Sequence, residues 1–266
     1  MTVDTMRRPV GEQLRGWRER RRLSQLELSI EADISTRHLS FVETGRSRPS
    51  RDMVLHLAER LDVPLRERNH LLLAAGYAPA YRESALDSVS LAPVAAAVRQ
   101  ILAGHEPYPA VVVNARNELL DANASVGLFL AGLAPHLLEP PANVLRVALH
   151  PDGMAPNIVN LPLWRTHLLE RLRRQIANSG DPLLTELYDE VAAYPGGEQP
   201  GEPDPASAVA LPMRYRHQGR ELSFVSTVAT FGAPLDVTVS ELAIEAFYPA
   251  DDETAALLRT AASPSR

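Results

Sequence analysis

Residues 23–50, LSQLELSIEADISTRHLSFVETGRSRPS, constrain the chain more than any other stretch. They hold two short helical patterns separated by one tight break. Ser24 offers a hydroxyl to a free backbone N–H at a helix start. Glu27 stands three residues later, so Ser24-x-x-Glu27 has the form of a capping box. Leu23, Leu26, Leu28, Ile30 and Ala32 supply the apolar positions. The pattern breaks at Asp33-Ile34, and Ser35 offers a second cap. Thr36, Arg37, His38 and Ser40 follow as polar positions, with Leu39 and Val42 three apart between and after them. Gly45 stands where a left-handed residue ends such a helix.

The flanks complete a small bundle. Val10 to Arg21 reads as a helix with Val10, Leu14, Trp17 and Arg21 on one face, and Trp17 is assigned to the core. Arg51 to Leu61 turns Met53, Val54, Leu57, Ala58 and Leu61 inward. After the break at Asp62-Val63-Pro64, a fifth helix runs from Leu65 to Ala75 and stops at Gly76. Five helices in about 70 residues bury limited apolar surface, so leucine-dense faces are needed to hold them. Residues 1–9 are expected to be a flexible arm. Arg18, Arg20, Arg21 and Arg22 are left open between phosphate contacts and a solvated cationic face.

With the neighbouring helices in place, residues 23–50 resemble the helix-turn-helix of the phage-repressor and Cro-like (XRE) regulators. Leu23-Ser-Gln-Leu-Glu-Leu28, a short turn and a polar second helix ending in Glu43-x-Gly45 carry that resemblance. It implies that the second helix enters the major groove of a double-stranded DNA operator. Ser35, Thr36, Arg37, His38, Ser40 and Phe41 are then the expected base contacts. Gln25, Arg46 and Arg48 are the expected contacts to the DNA backbone. Phe41 is open between a thymine methyl group and packing, and His38 between contact and solvent. Glu43 reads more simply as an internal partner for an arginine than as a cytosine reader. Modules of this kind pair on two half-sites, which implies a homodimer.

The net charge of −6 opposes DNA binding until it is divided along the chain. Residues 1–70 carry +3 and residues 71–266 carry −9. The asymmetry fits an N-terminal polyanion binder joined to an acidic region with another task. No apolar run has the length of a membrane span, and no signal-like segment opens the sequence, so a cytoplasmic protein without membrane contact is expected. The absence of cysteine excludes disulfides, thiolate zinc sites and a cysteine nucleophile.

Residues 78–90 read as a linker between a domain at 10–77 and a second at 91–262. Leu91 to Leu102 is a predicted helix. Ala110–Val113 and Glu118–Asp121 flank turn chemistry as a hairpin, and Asn123 is expected to cap a short helix reaching Leu130. Residues 143–149 read as one or two helical turns. Leu161 to Asn178 is a predicted amphipathic helix with Leu161, Trp164, Leu168, Leu172 and Ile176 inside and Arg165, Glu170, Arg171, Arg173 and Arg174 outside. A helix from Asp181-Pro182 to Val191 follows, then an exposed loop at 196–207. Strands are predicted over Ala208–Tyr215, Glu221–Phe231 and Val237–Tyr248, and a last helix over Asp252–Ala262. The order gives an α+β domain with about five antiparallel strands, which resembles a PAS domain.

Pro109-Ala-Val-Val-Val113, Leu120-Asp-Ala-Asn123, Leu149-His-Pro-Asp-Gly153, Asn160, Trp164, Leu168-Leu-Glu-Arg-Leu-Arg173, Gly180-Asp-Pro182 and Leu187 together resemble the MmyB-like ligand-binding domain that follows an XRE-type helix-turn-helix. The resemblance implies a regulator whose C-terminal domain takes a hydrophobic small-molecule effector, with a fatty acid leading. Val111, Val113, Trp164, Leu168, Phe224 and Val228 are the candidate pocket walls, and His150, Arg165 and Arg214 (with Arg216) the candidate polar anchors. Two rivals stay open: a dimerisation or partner-protein module with a filled core, and a degenerate or unrecognised enzyme. Against the enzyme, the sequence has no nucleophile elbow, phosphate-binding loop, His-Glu-x-x-His or dinucleotide glycine pattern. No cofactor or metal is expected.

Overall fold

The computed structural model describes residues 8–197, 211–232 and 234–262. Most of the expected arm, most of the expected loop at 196–207, the first residues of the strand expected from Ala208, and Ala233 lie outside the described residues. The chain forms two compact units that divide at Ser84/Ala85; segments 177–182 and 234–240 are grouped with the first.

The first unit is helical: α1 (Val10–Arg20), α2 (Gln25–Glu31), α3 (Thr36–Glu43), α4 (Arg51–Arg60) and α5 (Leu65–Ala74). The capping box at α2 forms in full. Ser24 accepts from the Glu27 N–H, and the Glu27 carboxylate accepts from the Ser24 N–H at 2.7 Å. Ser35 and Ser50 cap α3 and α4 through the hydroxyl alone, which accepts from the His38 and Met53 N–H groups. Asp33 turns the chain between α2 and α3 with φ of 49°, and Gly45 follows α3 at φ 72°. Leu14, Trp17, Leu28, Leu39, Val42, Leu57, Leu61 and Leu72 form the core. Gly11 lets α1 press onto the end of α3, since a Cβ there would lie 2.2 Å from the Val42 carbonyl oxygen.

The second unit is built on a five-stranded antiparallel sheet of order β2-β1-β5-β4-β3. Helix α6 (Ala92–Gly104) precedes β1 (Ala110–Val113) and β2 (Leu119–Ala122). The helical insertion follows as α7 (Gly127–Leu130), α8 (Val144–Leu149), α9 (Leu161–Ser179) and α10 (Pro182–Ala192). Then come β3 (Met213–His217), β4 (Arg220–Thr230), the short α11 (Val237–Ser240) within the segment grouped with the first unit, β5 (Ala243–Pro249) and α12 (Asp252–Ala262). This is the curled, helix-covered sheet of a PAS-like α+β domain.

The two sheet faces separate by the strand period of two. On one, Ala110, Val112 and Ile244 pack with Val98 and Leu102 of α6. On the other, Val111 faces Glu245 across β1/β5, and Ser226 faces Phe247 across β5/β4.

Three expectations change. Val237–Ser240 is a helical turn capped by Asp236, whose carboxylate accepts from the Thr238 N–H, so the strand starts only at Ala243. Asn123 does not cap its helix with its side chain. It accepts from the Ala110 N–H and donates to the Tyr108 carbonyl, clamping the entry to β1, while Glu106 accepts from the Ala124 N–H. Arg171 is not on the outer face of α9. Seven residues after Trp164, nearly two full turns, it returns to the inner side and pairs with Glu245.

Candidate functional sites

In the helical unit, α3 presents Arg37, His38 and Phe41 along one side. Arg37 is exposed, and its guanidinium lies over the Phe41 ring at 5.3 Å; that of Arg46 lies over the same ring at 6.0 Å. Neither guanidinium has a hydrogen-bond partner among the described residues. The result is a ring with two free forks of N–H donors held beside it. His38 and Ser40 are half-buried.

Other expected contacts have internal duties. The Ser35 hydroxyl accepts from the His38 N–H, and Thr36 Oγ1 bonds Ser29 Oγ at 2.8 Å, tying α3 to α2. Gln25 Nε2 donates to Glu43 Oε2 at 2.8 Å. Arg48 donates through Nε and Nη2 to the Ala75 carbonyl and lies over Tyr77, so it closes the end of α5.

Glu43 is the internal partner expected of it. Arg18 grips it through Nε at 2.7 Å and Nη2 at 2.9 Å, with both residues buried. The hydrogen bonds to Glu43 raise the Arg18 pKa further, against the opposing effect of burial. Arg18 is therefore not a phosphate ligand. Arg21 donates to the Leu61 and Asp62 carbonyls.

In the second unit a cavity lies between the sheet and the helical insertion. Its volume is about 90 Å³. Val111, Met213 and Phe247 contribute from the strands, Leu145 and Ala148 from α8, and Trp164 and Leu168 from α9. Phe129 meets Phe224 and Phe247 edge-on, at 5.3 Å in each case. Among the described residues, Glu245 is the one charged side chain on the lining. It is 5 % exposed, and Arg171 donates to its two oxygens at 2.9 and 2.8 Å. Burial works against the Arg171 charge, but the bonds and charge of Glu245 outweigh it and leave the pKa above its usual value.

A family model described as the MmyB-like transcription regulator ligand binding domain matches residues 94–261, and a helix-turn-helix domain model matches residues 9–71. The chain belongs to the MmyB-like transcription regulators. It is a DNA-binding transcription regulator with a ligand-binding domain. No curated protein matches it. Among solved structures it is similar to an RNA-binding light-oxygen-voltage receptor, at 14 % identity and a TM-score of 0.27 over 95 % of this chain and 62 % of that one. At that score the likeness says nothing about fold or function. Among the described residues, no helix of this MmyB-like regulator is long and apolar enough to cross a membrane.

Of the expected pocket residues, the cavity of the regulator takes Val111, Trp164 and Leu168. Val113 shares the face of Val111 but packs on Val126 beyond the lining. Phe224 is fully buried and stands behind Phe129. Val228 shares the sheet face, but the helical cover does not reach it, and it is 49 % exposed.

The expected polar anchors do not converge. Arg214 pairs with Glu221 on the exposed surface. Arg165 donates to the Ala192 carbonyl, and Arg216 is exposed. His150 uses Nδ1 to accept from the Asp152 N–H and sits edge-on to Tyr194. The sequence reading missed the Arg171–Glu245 pair, although the signals were present: Arg171 falls on the Trp164 stripe, and Glu245 has the strand parity of Phe247.

Proposed function

We propose that this regulator acts in the cytoplasm as a homodimer on a double-stranded operator, and that a hydrophobic effector with a fatty-acid-like chain occupies the cavity. The observation that carries the effector is an apolar cavity with Glu245 as the one charged residue among its described lining residues. For DNA, Arg37 is the principal base reader: a free, exposed guanidinium on α3, stacked on Phe41, is poised for the two acceptors of a guanine edge. Phe41 and His38 lie alongside it, and Phe41 offers a ring to a thymine methyl group. Ser40 is within the same turn, while the Ser35 and Thr36 hydroxyls serve first as cap and inter-helix tie. Arg46 meets the backbone as a free cation. Gln25 contributes through its place at the N-terminus of α2, since its amide is held by Glu43.

An effector controls binding only if it interacts differently with two arrangements of the DNA-binding modules. The test begins with an operator selected from random DNA. Arg37→Ala is expected to weaken specific binding by about 1–3 kcal/mol and to leave non-specific binding nearly unchanged. Equal losses on both would make Arg37 a backbone contact. Ala148→Phe, which fills the cavity, is expected to abolish retention of co-purifying lipid detected by mass spectrometry while sparing operator binding. Lipid retained by that variant would place the effector elsewhere.

A further inference from the structure

The cavity holds an unequal distribution of hydrogen-bonding capacity. An ionised carboxylate offers about four acceptor sites. At Glu245, Arg171 fills one site on each oxygen, and no other donor among the described residues reaches the group. Glu245 belongs to the lining of the cavity and Arg171 does not.

The charge balance narrows the ligand further. Arg171 and Glu245 together are neutral. An ionised carboxylate brought to Glu245 would set two anions against one cation in a lining otherwise without charge. One carboxyl group would then have to take up a proton, or Arg171 would have to abandon a buried partner. An ammonium would leave an uncompensated positive charge in the same surroundings. A hydroxyl adds a donor and no charge.

We infer that the effector is a neutral amphiphile whose polar end donates a hydrogen bond to the Glu245 carboxylate: a long-chain alcohol rather than the carboxylate of equal length. The hydrocarbon body of a fatty acid suits the cavity, and its ionised head does not. This rests on the proposal above that the cavity is the effector site.

The test uses the full chain and two probes, 1-decanol and decanoate, titrated calorimetrically at pH 8 below micelle-forming concentrations. The alcohol is expected to bind about tenfold more tightly or better. Decanoate binding as tightly as decanol, or more tightly, overturns the inference and leaves the cavity as the effector site. Failure of both to bind overturns the cavity reading, and the inference with it. A double variant, Arg171→Met with Glu245→Gln, removes both charges without leaving either unpaired. In that protein the preference is expected to shrink to about threefold or less. A preference that survives intact means Glu245 is not the selector and overturns the inference.

Discussion

The two units each contain an arginine–glutamate pair with a buried carboxylate and two hydrogen bonds between the partners, and the pairs differ in their surroundings. Arg18 and Glu43 are sealed within the helical bundle, with Gln25 donating a third bond to the carboxylate and Arg18 a further one to the Leu23 carbonyl. Arg171 and Glu245 join α9 to β5 but border empty space. Buried in the bundle and given a third protein donor, the first pair holds its helices together. With acceptor capacity left over at a cavity wall, the second can also meet a ligand. In the helical unit the free hydrogen-bond donors lie outside, on Arg37 and Arg46; in the second unit the spare acceptors belong to a residue of the cavity lining.

Breaking the sealed pair should give the largest effect. Glu43→Ala leaves the Arg18 charge buried without its partner and is expected to destabilise the helical unit by about 3–5 kcal/mol. Urea unfolding followed by Trp17 fluorescence, in a Trp164→Phe background, measures this directly. Replacing both partners sharpens the contrast. Arg18→Met with Glu43→Leu still strands the Gln25 amide and the Leu23 carbonyl, and is expected to cost roughly 1–3 kcal/mol. Arg171→Met with Glu245→Leu strands no polar group that the structure shows, so thermal stability is expected to hold or rise. If the two double replacements behave alike, the difference between a saturated and an unsaturated pair has no energetic consequence.

The same contrast explains what could be read from the sequence. The helical unit was legible nearly residue by residue because its signals are local: Ser24 with Glu27, Ser35, Asp33 and Gly45 each act within a few residues. The sheet was legible as strands and turns, except at Val237–Ser240, where a β-branched run was overruled by the Asp236 cap. Side-chain destinations across the fold were not legible. Arg18 was left open to phosphate although it follows Leu14 by four residues on the core face. Arg48 looked like a loop cation because its partner, the Ala75 carbonyl, lies 27 residues on. Cavity walls and packed core share one periodicity, so Val111 and Val113 looked equivalent, although only Val111 meets the empty space. Val228 carried the correct parity, but how far the helical cover extends is a property of tertiary packing.

Arg46 and Arg48 offer a smaller test, because they lie two residues apart and divide the two duties. Arg48→Ala removes both donors from the Ala75 carbonyl and the stacking on Tyr77. It is expected to destabilise the helical unit by about 1 kcal/mol. Arg46→Ala is expected to leave stability unchanged, weaken DNA binding uniformly across sequences and reduce the salt slope by about one. A uniform loss of DNA affinity from Arg48→Ala at unchanged stability would return that residue to the phosphate backbone and blur the division between scaffold and contact.

The smallest expected effect comes from a pair that is neither sealed nor bordering a cavity. His70 Nδ1 lies 3.3 Å from the Glu67 carboxylate, one turn earlier on α5, with both side chains partly exposed. The hydrogen bond to Glu67 raises the histidine pKa above its ordinary 6.5; burial opposes the rise, the Glu67 charge assists it, and Arg66 and Glu83 act in opposite directions. Because the folded value lies above the unfolded one, protonation favours the folded state. The contribution is complete below about pH 6.5 and disappears as pH climbs through the raised folded value. Wild type should therefore exceed His70→Gln in stability by roughly 0.5 kcal/mol at pH 5.5 and lose that margin by about pH 8.5. Paired urea titrations at the two pH values measure the margin. A margin that stays constant would mean that the neutral imidazole packs as well as the charged one, so that even a partly exposed pair acts here as scaffold.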